Sequence, residues 1–277
     1  MPLVACVQMN GSSDSARNLA QVDALVRRAA AAGATLVLTP EATDWLGPHD
    51  EKVARAEPLG GPFCAAMSAL ARELGITLLI GSLAERGPAG PGGAPPTHAW
   101  NTSVLFGPDG ARTAAYRKIH LFDVDLAARG GVSFRESDRT LPGDALVVAD
   151  SPVGPLGLSV CFDLRFPEVY AGLVARGARA LTVPSAFTLM TGKDHWHALL
   201  RARAIETQCF VFAPAQWGPH DDRGLRRSYG HSLIVDPWGT VLAECGDGPG
   251  LALAWVDPAV VDEVRAQIPV GAARRLC

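Results

Sequence analysis

Cys161, in GLSVCFDLRFPE, lies at the end of an apolar run with strand character, and Pro167 suits the first turn of a helix just beyond it. A thiol on such a strand-to-helix turn projects at a sheet edge, as in a nucleophile elbow, where the next backbone N–H can meet an oxyanion. A nearby helix N-terminus also lowers a thiol pKa. Glu41 follows the apolar run in LVLTPEAT, which puts a carboxylate at the C-terminal end of a strand, where open α/β sheets bind ligands. Lys118, in AYRKIHLFD, is one of only three lysines, with Lys52 and Lys193, among 25 basic residues, and it stands beside Ile119, Leu121 and Phe122. Together the three make a set for acyl transfer: a carboxylate to take the thiol proton, a thiolate to attack, an ammonium to meet the oxyanion. Taken singly, Cys161 also reads as a buried strand cysteine and Glu41 as an ordinary loop glutamate.

Other chemistries fit less well. The seven histidines offer no comparable strand-end position, and His195 and His197, two apart on a helix, point to different faces and make a poor metal pair. Six cysteines without a CxxC pair argue against a zinc site and against a disulfide framework, and read mostly as buried small hydrophobes. A net charge of −3 argues against a broad nucleic-acid-binding surface. The chain lacks the run of roughly 18 apolar residues that spans a membrane. MPLVACVQMNG has no basic leader, so a cytoplasmic protein is expected.

The elements that must position these groups follow from patterning. A chain of 277 residues with 48% hydrophobic residues can bury a large core without staples. Residues 3–10, 35–40, 76–82, 101–107, 111–119, 157–162, 181–187, 209–216 and 251–256 read as strands. Residues 14–32, 62–74 and 194–208 read as helices, the first two closed by Gly33 and Gly75, the third with Trp196, Leu199, Leu200 and Ile205 on one face. Pro108-Asp109-Gly110 and Pro237-Trp238-Gly239 mark hairpins, the second spanning 228–245, and Gly87–Pro96 reads as an exposed loop. Alternation plus hairpins implies an α/β protein, and the surplus of strands implies two packed mixed sheets covered by helices. One domain over 1–277 is expected, with its core at about 2–257 and a C-terminal helix and tail at 258–277.

TPEAT, YRKIHLFD and SVCFDLRFPE, in that order, resemble the three signatures of the nitrilase superfamily, the carbon-nitrogen hydrolases. The resemblance covers nearly the whole chain. It implies a four-layer α-β-β-α sandwich, a homodimer or higher homo-oligomer, and no metal or organic cofactor. It carries the general base to Glu41, the oxyanion-stabilising cation to Lys118, the nucleophile to Cys161 and a supporting second carboxylate to Glu136 in SFRESD. The implied reaction is amide hydrolysis through a thioester on Cys161, with the Phe162 N–H sharing the oxyanion. The segment PSAFTLMTGKDHWHALLRARAIETQ is similar to the Nit-type amidases, most like the deaminated glutathione amidase group, with the omega-amidase group next. These act on small 2-oxo acid amides and release ammonia or an amine.

An anionic substrate needs a fixed cation. Arg165, four residues after the nucleophile, is placed to clamp a carboxylate; Asp163 and Glu168 are equally placed to pair with it. Phe187 and Thr191 follow the next strand as candidate pocket residues, and a packed loop accounts for them as well. The segment Gly218–Arg227 reads as a charged surface loop near the entrance. Nitrilase or N-carbamoyl amidase activity stays open, as does a non-catalytic binding protein on the same fold. A papain-like or zinc hydrolase lacks its histidine and its ligand spacing.

Overall fold

The computed structural model describes residues 1–129, 133–221, 223–224 and 226–275. Strand β1 (Leu3–Gln8) is buried along its length and divides its side chains between two cores. Leu3, Ala5 and Val7 share one core with Val22, Leu25 and Val26 of helix α1 (Ser15–Ala31), while Val4 and Cys6 share the other with Leu158, Leu181 and Phe212. That is the period-2 alternation of a strand covered on both faces. Helix α1 starts because Asp14 Oδ1 accepts the otherwise orphaned N–H groups of Ala16 and Arg17, at 2.9 and 3.1 Å.

After β2 (Ala34–Leu38) and the single turn α2 (Lys52–Arg55) comes α3 (Pro62–Leu74). Its first residue is a proline, and Gly75 ends it in the left-handed conformation at φ 63°. Strands β3 (Thr77–Arg86), β4 (Ala99–Phe106) and β5 (Arg112–Arg117) follow, then a small hairpin of β6 (Asp123–Asp125) and β7 (Ser133–Arg135), then β8 (Thr140–Leu141). The second half runs β9 (Val148–Ala149), β10 (Leu156–Gly157), α4 (Pro167–Ala175), β11 (Ala180–Thr182), α5 (Leu189–Thr207) and β12 (Phe210–Ala213). A hairpin of β13 (Trp217–Pro219) and β14 (Arg227–Tyr229) leads to β15 (Leu233–Val235), β16 (Val241–Glu244), β17 (Gly250–Trp255), α6 (Ala259–Gln267) and the single turn α7 (Val270–Ala273).

The strands form two mixed sheets, β17-β1-β2-β3-β4-β5 with β8 added beside β4, and β16-β15-β12-β11-β10-β9. Helices α1 and α3 cover the first sheet, α4 and α5 the second, and the inner faces of the sheets pack on each other. This is the α-β-β-α sandwich. Where the sheets converge near the catalytic candidates, Gly81 of β3 leaves no room for a side chain: a Cβ there would run into the Thr39 carbonyl and the Pro184 ring.

Several elements differ from the sequence reading. The apolar run 157–162 is paired only at Leu156–Gly157, because residues 158–160 leave the ladder extended and Cys161 turns into a 3-10 segment, Cys161–Arg165. The strand read over 181–187 keeps a regular ladder only to Thr182, with one isolated bridge beyond it, Ser185 to Ala215. Helix α5 begins at Leu189 rather than 194, capped by the Thr188 side chain, and Ile205 is exposed, not on the buried face with Trp196 and Leu200. The hairpin read over 228–245 is split, since Arg227–Tyr229 pairs with Trp217–Pro219 and only Leu233–Val235 pairs with Val241–Glu244. Cys6, Cys64, Cys161, Cys209 and Cys245 are free and buried, and Cys277 lies outside the described residues. Among the described residues no helix is long and apolar enough to cross a membrane.

Candidate active site

Cys161 sits on a sharp elbow. Its φ of 50° is unusual for a residue with a side chain, and its N–H donates to the Pro184 carbonyl at 2.9 Å, which fixes the elbow to the chain leaving β11. The Phe162 amide lies in the first turn of the 3-10 segment, where N–H groups have no acceptor within the helix.

Asp163 ties this turn to the segment that carries Lys118. Fully buried, it accepts the Val160 N–H at 3.0 Å, the Tyr116 hydroxyl at 2.7 Å and the His120 N–H at 2.9 Å, and its Oδ1 lies 2.9 Å from His120 Nδ1. The His120 ring in turn stacks on Phe166, centroids 3.6 Å apart. Asp163 is therefore committed, and among the described residues no carboxylate pairs with Arg165. The guanidinium of Arg165 lies instead 3.3 Å from His195 Nδ1 and between the Phe162 and Phe187 rings, at 5.8 and 5.4 Å.

Lys118 follows β5 directly and is almost wholly buried. Its Nζ donates to Glu136 Oε2 at 2.7 Å and to Glu41 Oε1 at 3.1 Å. Glu41 Oε1 also accepts from Asn101 Nδ2 at 2.9 Å, and its Oε2 accepts the Ala186 N–H at 2.9 Å. Glu136 accepts from Asn101 at 3.2 Å and from the Phe122 N–H at 2.8 Å, and Lys52 Nζ lies 4.0 Å from it. Glu41, Lys118, Glu136 and Cys161 thus line one pocket, with Phe162, Arg165, Phe187 and Thr191. Phe187 is braced by Trp196 at 4.9 Å, and the Thr191 hydroxyl is 2.9 Å from that of Thr188.

Burial would drive Lys118 down, but Glu136 and Glu41 outweigh it and hold the ammonium well above the ordinary lysine range. Burial, then the Glu41 charge and its hydrogen bond, push the Cys161 thiol well up against the opposing pull of Lys118. Cys161 is thus held as a thiol, with the Glu41 side chain hydrogen-bonded to it. Burial raises Glu136, but Lys118 and Lys52 overcome that and set its carboxyl to about 2.

The Glu136 shift has a sign that can be measured. A carboxyl held below its unfolded value stabilises the fold above the unfolded pKa, and that contribution is lost as pH falls from about 4.5 through about 2. The shift corresponds to roughly 3 kcal/mol as an order of magnitude. Urea midpoints should therefore fall steeply over that window in the parent and less steeply in Glu136→Gln. Parallel curves would refute the assignment.

Asn101, Lys52, His49 and Arg226 are among the pocket residues that escaped the sequence reading. Asn101 bridges the two glutamates from β4, and an amide at the start of the apolar run 101–107 was the signal available. Lys52 shared the rarity that singled out Lys118, and it reaches Thr140 Oγ1 at 2.8 Å. His49 and Arg226 stand at the same pocket. Burial, then the charges of Lys52 and Arg226, push the His49 imidazole down to about 4, so it is neutral at ordinary pH. Arg226 donates to the Gly47 carbonyl at 3.0 Å and lies 5.2 Å from the Phe134 ring. The segment 218–227 does reach the pocket through Arg226; its residues 222 and 225 lie outside the described residues.

This arrangement can deprotonate a thiol, hold an oxyanion and attract an anion. Comparison with known proteins gives the family. The carbon-nitrogen hydrolase family pattern matches residues 3–266. A deaminated glutathione amidase from Bos taurus is 44% identical over 99% of this chain and 82% of its own length. One from Synechocystis sp. is 40% identical over 96% of both chains. The crystal structure of the C. elegans NitFhit protein superposes with a TM-score of 0.89 at 39% identity, over 99% of this chain and 65% of that one. With the sandwich, the elbow cysteine and a family match over almost the entire length, the chain belongs to the carbon-nitrogen hydrolase family, enzymes that cleave C–N bonds other than peptide bonds.

Proposed function

We propose that the protein is a cysteine-dependent amidase for the side-chain amide of a small 2-oxo acid, and that deaminated glutathione is its substrate. The observation that carries the chemistry is the convergence of Cys161, Glu41 and Lys118 on one pocket. Full-length identity to deaminated glutathione amidases and the cations Arg165 and Arg226 at the pocket support the substrate.

In this reading Glu41 takes the Cys161 proton as sulfur attacks the amide carbon, and the carbonyl oxygen becomes an oxyanion held by Lys118 Nζ and the Phe162 N–H. Glu41 then passes the proton to the departing nitrogen, the C–N bond breaks, and an acyl thioester remains on Cys161. Water gives a proton to Glu41 and its oxygen to the acyl carbon. The C–S bond breaks, sulfur regains a proton, and the carboxylic acid leaves. From deaminated glutathione the departing amine is the cysteinylglycine dipeptide; from 2-oxoglutaramate it is ammonia. Glu136 and Asn101 hold Lys118 and Glu41 in register. The proposed reaction uses no metal or organic cofactor, and the proposal places the enzyme in the cytoplasm, where the five free cysteines among the described residues suit a reducing compartment. It also includes a homodimer or higher assembly that covers exposed apolar side chains of α5 such as Met190 and Ile205.

The deciding experiment compares kcat/KM for 2-oxo acid release from deaminated glutathione and from 2-oxoglutaramate, with a nitrile and a carbamoyl amine as controls. Preference for the first supports the proposal, and preference for the second makes the protein an omega-amidase. If none turns over yet Cys161 is labelled by an amide-like electrophile, the chemistry survives and the substrate does not. Arg165→Lys should raise KM for anionic amides by about tenfold or more while leaving neutral amides nearly unchanged, since a point charge replaces a bidentate fork. Equal effects on both would remove Arg165 as the carboxylate clamp.

A further inference from the structure

Away from the pocket, three side chains from three separate elements meet: His197 of α5, His231 just before β15, and Glu244 at the end of the edge strand β16. We propose that they form a divalent metal site suited to Zn2+. Two imidazoles and one carboxylate are a borderline-soft donor set, which favours Zn2+ over the oxygen-seeking Ca2+ and Mg2+.

The geometry is close to that of a loaded site. Glu244 Oε1 lies 2.6 Å from His231 Nδ1 and 2.9 Å from His197 Nε2, and all three donor atoms fall within 4.8 Å of one another. Tetrahedral Zn2+ with bonds of about 2.0–2.1 Å wants its donors about 3.3 Å apart. The carboxylate must move out slightly and the imidazoles must close in. The side chains are 34%, 26% and 34% exposed, which leaves room for that movement and for water at an open position. In binding, the ion replaces the ring protons that now face Glu244. Each imidazole, when it binds the ion, carries its proton on the other nitrogen.

The frame around the donors is rigid. His231 holds a φ of 57°, its carbonyl accepts the Trp196 Nε1–H at 2.8 Å, and its ring stacks on Tyr229 with centroids 4.3 Å apart. Trp196 is fully buried and immediately precedes His197. A bound ion pins α5 to the β15–β16 hairpin.

The test is titration of the intact protein with Co2+ as a spectroscopic stand-in, competed by Zn2+. The expected result is one equivalent bound, with visible d–d bands and no thiolate charge-transfer band. Those bands should vanish in His231→Asn and in Glu244→Gln, with the catalytic rate unchanged, and Zn2+ should raise the melting temperature of the parent only. A thiolate band puts the metal on a cysteine, binding that survives both substitutions puts it elsewhere, and either overturns the proposal. Absence of saturable micromolar Zn2+ binding does the same. If the variants fail to fold, zinc-edge X-ray absorption on the parent decides: a shell of nitrogen and oxygen with imidazole scattering supports the site, and sulfur in the shell sinks it.

Discussion

Turnover should fall by on the order of 10^4-fold or more in Cys161→Ala while the fold persists. Without the thiol there is no covalent route, and Glu41 would have to activate water against an unactivated amide. The elbow itself should tolerate the change. Cysteine already bears the positive φ, so alanine at the same angle adds no new backbone strain. The thiol is buried, and its loss opens a void of one sulfur atom only. Circular dichroism should match the parent. Acid-quenched mass spectrometry should show an acyl adduct on the parent and none on the variant. A Cys161→Ala protein turning over at the parent's rate would end the thioester mechanism.

Lys118→Met should damage both stability and catalysis. The ammonium stands 2.7 and 3.1 Å from two buried carboxylates. Removing it strips Glu41 of its cation and leaves Glu136 with only the more distant Lys52, a class of change that costs about 3–5 kcal/mol. For a chain of this size that is a drop of about 10 °C in melting temperature. Glu136 should also lose the larger of the two charges that hold its pKa down, Lys52 alone remaining, so the acid slope predicted for the parent becomes shallower in this variant too. Catalysis should lose a further factor of about 10^2–10^3 from the missing oxyanion donor. Lys118→Arg keeps the charge but replaces a compact ammonium with a planar fork, and should remain severely impaired. Parent-like kcat in Lys118→Met would remove Lys118 from the reaction.

Three of the four polar groups proposed for catalysis were legible because each sits at the end of a readable element: Glu41 closes an apolar strand, Lys118 closes a hairpin strand and Cys161 precedes a proline-started helix, whereas Glu136 came only from the family resemblance. The two-sheet sandwich was legible through strand surplus and alternation. What the chain hides is depth and reach. Lys52 and His49 lie in a polar stretch that reads as surface, and only the fold turns it toward Glu136. Arg226 belongs to a hairpin whose pairing of Trp217 with Tyr229 is non-local. The run 157–162 has strand composition, yet the pull of the Pro184 carbonyl on the Cys161 amide ends it as an elbow. Composition cannot report such tertiary overrides.

The Ala186 N–H that binds Glu41 Oε2 joins the two halves of the sandwich at the reacting atoms. Glu41, Lys118 and Glu136 precede the connection 142–147, exposed at Pro142, Asp144 and Ala145, and Cys161 and Ala186 follow it. A backbone cut there would yield two inert fragments, each holding part of the machinery. Mixing them should restore turnover only when the sheets dock in register, so enzymatic rate becomes a reporter of fragment reassembly, readable at concentrations far below those that optical probes of folding require.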